Sequence, residues 1–106
     1  MKDDVKFSRQ EERLTVHICR DIDHHTARPM RERIDTALFE MKPRILIIDF
    51  SSVSFMDSSG LGLILGRVEK ASALGATVRL TGLSPTLMKL VRLSGLEKVH
   101  NLSVTK

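Results

Sequence analysis

The chain has 106 residues, of which 42% are hydrophobic and 28% charged, and it carries a formal net charge of +4. That length allows one domain, residues 1–106, able to bury roughly two thirds of the unfolded chain's surface, and the balance excludes a disordered or fibrous chain. Four phenylalanines are the only aromatic residues other than histidine, so the core must be aliphatic, and no run approaches the ~20 apolar residues of a membrane span.

Met1-Lys2-Asp3-Asp4 leads into polar sequence rather than a signal peptide's apolar region, so a cytoplasmic chain with no membrane partner is expected. A single cysteine, Cys19, cannot form an internal disulfide, which agrees with a reducing compartment. Its alternating setting, Val16-His17-Ile18-Cys19, marks it as a strand side chain rather than a nucleophile. The basic residues are dispersed, with Arg28, Arg31 and Arg33 alternating with Glu32 and Asp35. With no Lys/Arg tract and few rings to stack bases, direct nucleic-acid binding is not expected.

In chain order, residues 5–11 and 14–22 alternate apolar and polar, and the polar stretch between them predicts a β-hairpin. A loop, Asp21-Ile22-Asp23-His24-His25-Thr26, precedes a helix whose stripe is Ala27, Met30, Ile34, Ala37, Leu38 and Met41. With Thr26 as its cap, Pro29 falls in the first turn, where its missing N–H removes no helical bond, and Pro43 ends the element. Phe39 lies off the stripe. Residues 44–50 form the central strand, apolar through Ile45 to Ile48, which predicts a sheet covered on both faces.

The polar turn that follows ends in Asp57-Ser58-Ser59-Gly60, a cap-like start to a second helix with Leu61, Ile64, Leu65, Val68 and Ala71 or Ser72 as its buried face. Gly75 is its left-handed stop after Leu74. A helix start leaves about four N–H groups unpaired and carries partial positive charge, so this strand-to-helix turn suits a negative charge. Gly62 and Gly66 each cost about 1 kcal/mol inside a helix, which implies close approach to that face or tight packing on the sheet. Residues 77–81 form a strand, Ser84-Pro85 caps a third helix with Leu87, Leu90 and Val91 inward and Ser94-Gly95 at its end, and a short strand is expected at residues 99–102. The order β-β-α-β-α-β-α-(β) predicts an α/β fold with parallel pairing through right-handed crossovers.

Three chemistries find little support. A nucleophile elbow needs glycine two residues before its serine, and neither Ser58 nor Ser59 has one, so a hydrolase using His24 or His25 as base is not expected. His17, Cys19, His24 and His25 match no zinc spacing, so neither a metal site nor any catalytic residue is assigned. Gly60-Leu61-Gly62 with Gly66 gives no complete phosphate-loop pattern and no lysine follows, so no cofactor is assigned.

The run Ser54-Phe55-Met56-Asp57-Ser58-Ser59-Gly60-Leu61-Gly62, with Ile64-Leu65-Gly66-Arg67 after it and Asp23-His24-His25-Thr26-Ala27 before, closely resembles the anti-sigma factor antagonists of the STAS superfamily, specifically the sporulation antagonist of endospore-forming bacteria. The resemblance implies a STAS-type mixed sheet of four to five strands with helices packed on it. It implies a binding module without catalytic activity that, unphosphorylated, binds an anti-sigma factor that is also a serine kinase and so frees the sigma factor. Phosphorylation on the first serine of the motif, Ser58, would switch it off and a protein serine phosphatase would reverse this. Spacing alone does not choose between Ser58 and Ser59. Asp23, Asp57, Ser58, Ser59 and Gly60 are the implied partner-binding residues, with His24 and His25 beside them. The alternative is a STAS module that senses a small ligand or nucleotide. The chain departs from the pattern at Arg20, where relatives often have glycine, and it stops at Lys106 without the final helix that similar proteins carry.

Overall fold

The computed structural model describes residues 4–105, so the leader expectation placed on Met1 to Asp3, and Lys106, lie outside the described residues. The elements are β1 (Val5–Gln10), β2 (Arg13–Ile18), α1 (His24–Met41), β3 (Ile45–Asp49), α2 (Ser58–Ala73), β4 (Thr77–Thr81), α3 (Pro85–Ser94), a 3-10 turn (Leu96–Lys98) and β5 (Leu102–Val104). They form the expected α/β arrangement. One five-stranded sheet runs in the order β1-β2-β3-β4-β5, with β1 antiparallel to β2 and the remaining pairs parallel.

The sheet is covered on one face, not two. Leu46 and Ile48 of β3 are buried, whereas Ile45 and Ile47, pointing the other way, are only half-buried. Sequential strand order explains the difference, because right-handed crossovers that always step in one direction return over the same face. That face gathers Val16, Ile18, Leu46, Ile48, Val78 and Leu80 against Met30, Ile34 and Leu38 of α1, Ile64 and Val68 of α2, and Leu87 and Val91 of α3. Of the four phenylalanines only Phe50 is buried, so the core is aliphatic as composition implied. On the open face His17 Nδ1 lies 2.9 Å from Asp49 Oδ2 and Nε2 lies 3.2 Å from Ser8 Oγ.

Local departures have local causes. The hairpin turn is two residues long, Gln10 facing Arg13, with Glu11 at φ 57°. β2 stops at Ile18, four residues before the expected end; Cys19 N still donates to Asp4 O at 2.8 Å, in register with the ladder, and the chain then bends away. The bend at Arg20 needs no positive φ, and Arg20 Nη1 reaches Asp4 Oδ1 at 3.1 Å. α1 begins at His24 with Asp23, not Thr26, as its cap. Pro29 therefore lies inside the helix, beyond its first turn, and leaves the His25 carbonyl without its usual donor.

α2 is rotated from its expected phase. Leu63, Ile64, Arg67, Val68 and Ala71 are buried, while Leu65 is 42% exposed and Ser72 faces solvent. Gly75 stands at φ 78° and Gly95 at φ 80°, the left-handed stops that those positions predict. β5 is displaced to Leu102–Val104 because the 3-10 turn takes up the chain before it.

Candidate functional site

The site is assembled where β2 and β3 release the chain into α1 and α2. Two loops meet there and are stitched through their backbones: Ile22 N donates to Phe55 O and Asp57 N donates to Ile22 O, both at 3.1 Å. Asp21 completes the seam. One of its carboxylate oxygens accepts from Ser54 N at 2.9 Å and Phe55 N at 3.2 Å, and the carboxylate also accepts from the Ser54 hydroxyl at 3.1 Å. The backbone N–H of Ser54 leads in holding the Asp21 carboxyl below its ordinary value. Desolvation opposes it, and the Phe55 N–H and Ser54 hydroxyl add to the lowering.

Asp21 escapes sequence reasoning because its partners lie more than thirty residues away. An aspartate at the mouth of a loop reads as a turn former, and that is the only local signal it offers.

Each loop ends in an aspartate that caps a helix. Asp23 Oδ1 accepts from His25 N at 2.8 Å and Thr26 N at 2.9 Å, and the Thr26 hydroxyl accepts from Asp23 N at 3.0 Å, closing a reciprocal capping box. The Thr26 amide is the foremost cause of a lowered Asp23 carboxyl, against desolvation and with the His25 amide and imidazole assisting. Asp57 Oδ1 accepts from Ser59 N at 2.7 Å.

Ser58, the first residue of α2, is exposed, and its hydroxyl makes no hydrogen bond among the described residues. Ser59 is half-buried and lines a groove of about 420 Å³ between α1 and α2 together with His24, Arg28, Arg31, Gly62 and Leu63. Gly60 is buried. A Cβ there would stand 2.7 Å from Met56 Sδ and 2.8 Å from Met56 Cβ, so glycine lets the loop fold onto the helix start. Asp23, Asp57, Ser58, Ser59 and Gly60 are thus drawn to one end of the sheet. His24 and His25 stack on each other with ring centroids 4.0 Å apart. Neither the four candidate residues nor any other His, Cys, Asp and Glu side chains gather into a metal-binding group among the described residues.

A model of the STAS domain matches residues 4–105. The chain belongs to the STAS family. Its five-stranded mixed sheet with three helices is the STAS fold, which bears out the likeness carried by residues 54–67 and 23–27. This STAS chain is 35% identical over 85 residues to the anti-sigma F factor antagonist of Lysinibacillus sphaericus, spanning 80% of this chain and 73% of that protein. It is 30% identical over 103 residues to the anti-sigma-B factor antagonist of Bacillus subtilis, spanning 97% and 93%. The structure of the Bacillus cell fate determinant SpoIIAA in its phosphorylated form matches with a TM-score of 0.72 at 31% identity, over 96% of this chain and 91% of that one.

Deeper between the STAS helices lies an ion pair that the apolar pattern did not announce. Arg67 of α2 is 2% exposed, and its Nε stands 2.8 Å from Asp35 Oδ1 of α1. The N–H is not aimed along that line and Nη1 has no partner among the described residues, so the contact is ionic rather than a formed hydrogen bond. Burial pushes the Arg67 guanidinium below its ordinary value, Asp35 opposes this and Arg31 adds to it. Next to the pair, Phe39, 61% exposed, lines a smaller hollow with Leu38, Lys70 and Leu74, which places the residue that lay off the stripe.

Proposed function

We propose that this chain is an anti-sigma factor antagonist that binds, in its unphosphorylated form, an anti-sigma factor that is also a serine kinase, and thereby frees the sigma factor. It acts in the cytoplasm, without catalysis of its own, and in sporulation control. The kinase transfers a phosphoryl group to Ser58, which ends binding, and a protein serine phosphatase restores it. The observation that carries this reading is the exposed, unengaged hydroxyl of Ser58 at the head of α2, set beside Asp23, Asp57 and Ser59 on stitched loops.

The placement favours a switch that acts on docking and not on folding. A phosphoserine adds ~1.5 to 2 negative charges, and at a helix N-terminus that charge is tolerated or stabilising. Beside Asp57 it also concentrates charge and bulk where a partner docks, and opposed like charges there cost several kcal/mol. Ser58→Asp is therefore expected to lose anti-sigma factor binding in calorimetry while keeping its melting temperature. Ser58→Ala is expected to bind yet take no phosphate from kinase and ATP. A melting temperature low enough to explain the lost binding, or stoichiometric phosphate on Ser59 by mass spectrometry, overturns the assignment.

A further inference from the structure

The groove between α1 and α2 has walls of unlike character. One is cationic, with Arg28 and Arg31 from α1 and His24 beside them, and the other is small, with Ser59 and Gly62 from α2, while Leu63 is buried behind them. Arg31 has no carboxylate partner among the described residues. Arg28 touches Glu32 only at 3.7 Å, both side chains standing in solvent. The other nearby acids face elsewhere: Asp23 and Asp57 accept from their own helices' amides, and Asp35 faces Arg67. The groove is left with a positive wall that a solvent-exposed pair to Glu32 compensates only at Arg28.

Gly62 gives this wall a meaning that charge alone would not. A glycine in a helix interior is unfavourable relative to alanine, so the chain's own packing ought to require it. It does not: a Cβ at Gly62 meets nothing within 4 Å, as is also true of Gly66 outside the groove, whereas one at Gly60 collides with Met56; what sets Gly62 apart is that it lines the groove. The monomer has room for a side chain at 62, and the space that glycine leaves opens into the groove from its small wall.

We infer that this groove seats an acidic segment of the anti-sigma factor, its carboxylates against Arg28 and Arg31 and its backbone close over Gly62. The inference rests on the function proposed above and names the chemistry of the surface that the partner offers. It also says what the phosphoryl group does. Ser58 lies one helical turn before Gly62, so a phosphate there stands at the rim, where it repels incoming carboxylates and competes for the same guanidinium groups.

Calorimetry of the full chain against its anti-sigma factor, at low and moderate salt, tests this with Arg31→Glu, Arg28→Glu and Gly62→Gln, each melted in parallel. Either charge reversal is expected to weaken binding about tenfold or more and to flatten its salt dependence. Gly62→Gln is expected to melt higher than wild type, because glutamine is the better helix former, and still to bind less tightly. Replacing an acidic residue of the partner by arginine is expected to restore binding to Arg31→Glu.

If Ser58→Asp abolishes binding while Arg31→Glu and Gly62→Gln bind as wild type does, the groove inference falls and the proposed function stands. If wild type binds no anti-sigma factor, the proposed function fails first and takes the inference with it. Sedimentation that finds a wild-type dimer dissociated by Arg31→Glu assigns the groove to a second copy and overturns the inference.

Discussion

Asp23 and Asp57 stand in the same place on two helices, each with an extended backbone, each handing an oxygen to the amide two residues on, at 2.8 Å for His25 N and 2.7 Å for Ser59 N. The two heads part at the third helical residue. In α1 it is Thr26, whose amide also reaches the aspartate and whose hydroxyl returns to the Asp23 amide, so the polar groups there are mutually satisfied. In α2 it is Gly60, which has no side chain to close the box and no room for one under Met56. Ser58 and Ser59 therefore keep hydroxyls that the fold does not use. Similar caps produce one end that is structural and one that is free for chemistry.

The strongest test is to give α2 the residue that α1 has. Gly60→Thr would complete a capping box by sequence logic, yet its Cβ must enter space held by Met56. A loss of about 1–3 kcal/mol in denaturant unfolding is expected. A gain in stability would mean that the loop yields easily and that the contrast between the heads is not set by packing.

Asp21→Ala separates the two heads from each other. Removing the acceptor of the Ser54 and Phe55 amides is expected to cost about 1–2 kcal/mol, discounted for solvent exposure. The same carboxylate sets a sign for pH. Its folded-state pKa is depressed, so its contribution is present above the ordinary carboxylate value and is lost as pH falls through the depressed one. Below about pH 4 wild type should lose stability more steeply than Asp21→Asn, measured by melting across pH 2 to 7.

Asp57→Ala is expected to cost about 1 kcal/mol as a lost cap, and Asp23→Ala to lower the melting temperature further, because two amides and the box are lost. Equal losses would erase the distinction. The smallest effect sharpens it most: Ser58→Ala should leave stability within about 0.5 kcal/mol of wild type, since that hydroxyl supports nothing in the domain.

Much of this was legible from spacing alone. The strand-turn-helix around Asp57, the Ser84-Pro85 start and the glycine stops at 75 and 95 follow from local chemistry, which is where sequence speaks most directly. The cap of α1 was displaced because Ala27 begins the apolar stripe and drew the start to Thr26, although Asp23-His24-His25-Thr26 has an aspartate and a threonine spaced to cap each other. The phase of α2 was ambiguous because Leu61, Leu63, Ile64 and Leu65 are all apolar. The face that turns inward carries Arg67 to Asp35 of α1, a pairing across helices that the apolar pattern does not encode. One-sided cover of the sheet depends on strand order, which the apolar run Ile45 to Ile48 does not encode. Ser58 itself was singled out by resemblance, and residue spacing offered no preference over Ser59.

The seam between the two loops has a kinetic consequence. Because Ile22 is bonded both to Phe55 and to Asp57, the loops cannot loosen separately, and their amides should exchange with deuterium together as one opening unit. If the proposed function holds and these loops are where the partner docks, a face already ordered in the free domain surrenders little configurational entropy on capture, so the pace of partner exchange should be governed by departure from the complex and not by any rearrangement before arrival.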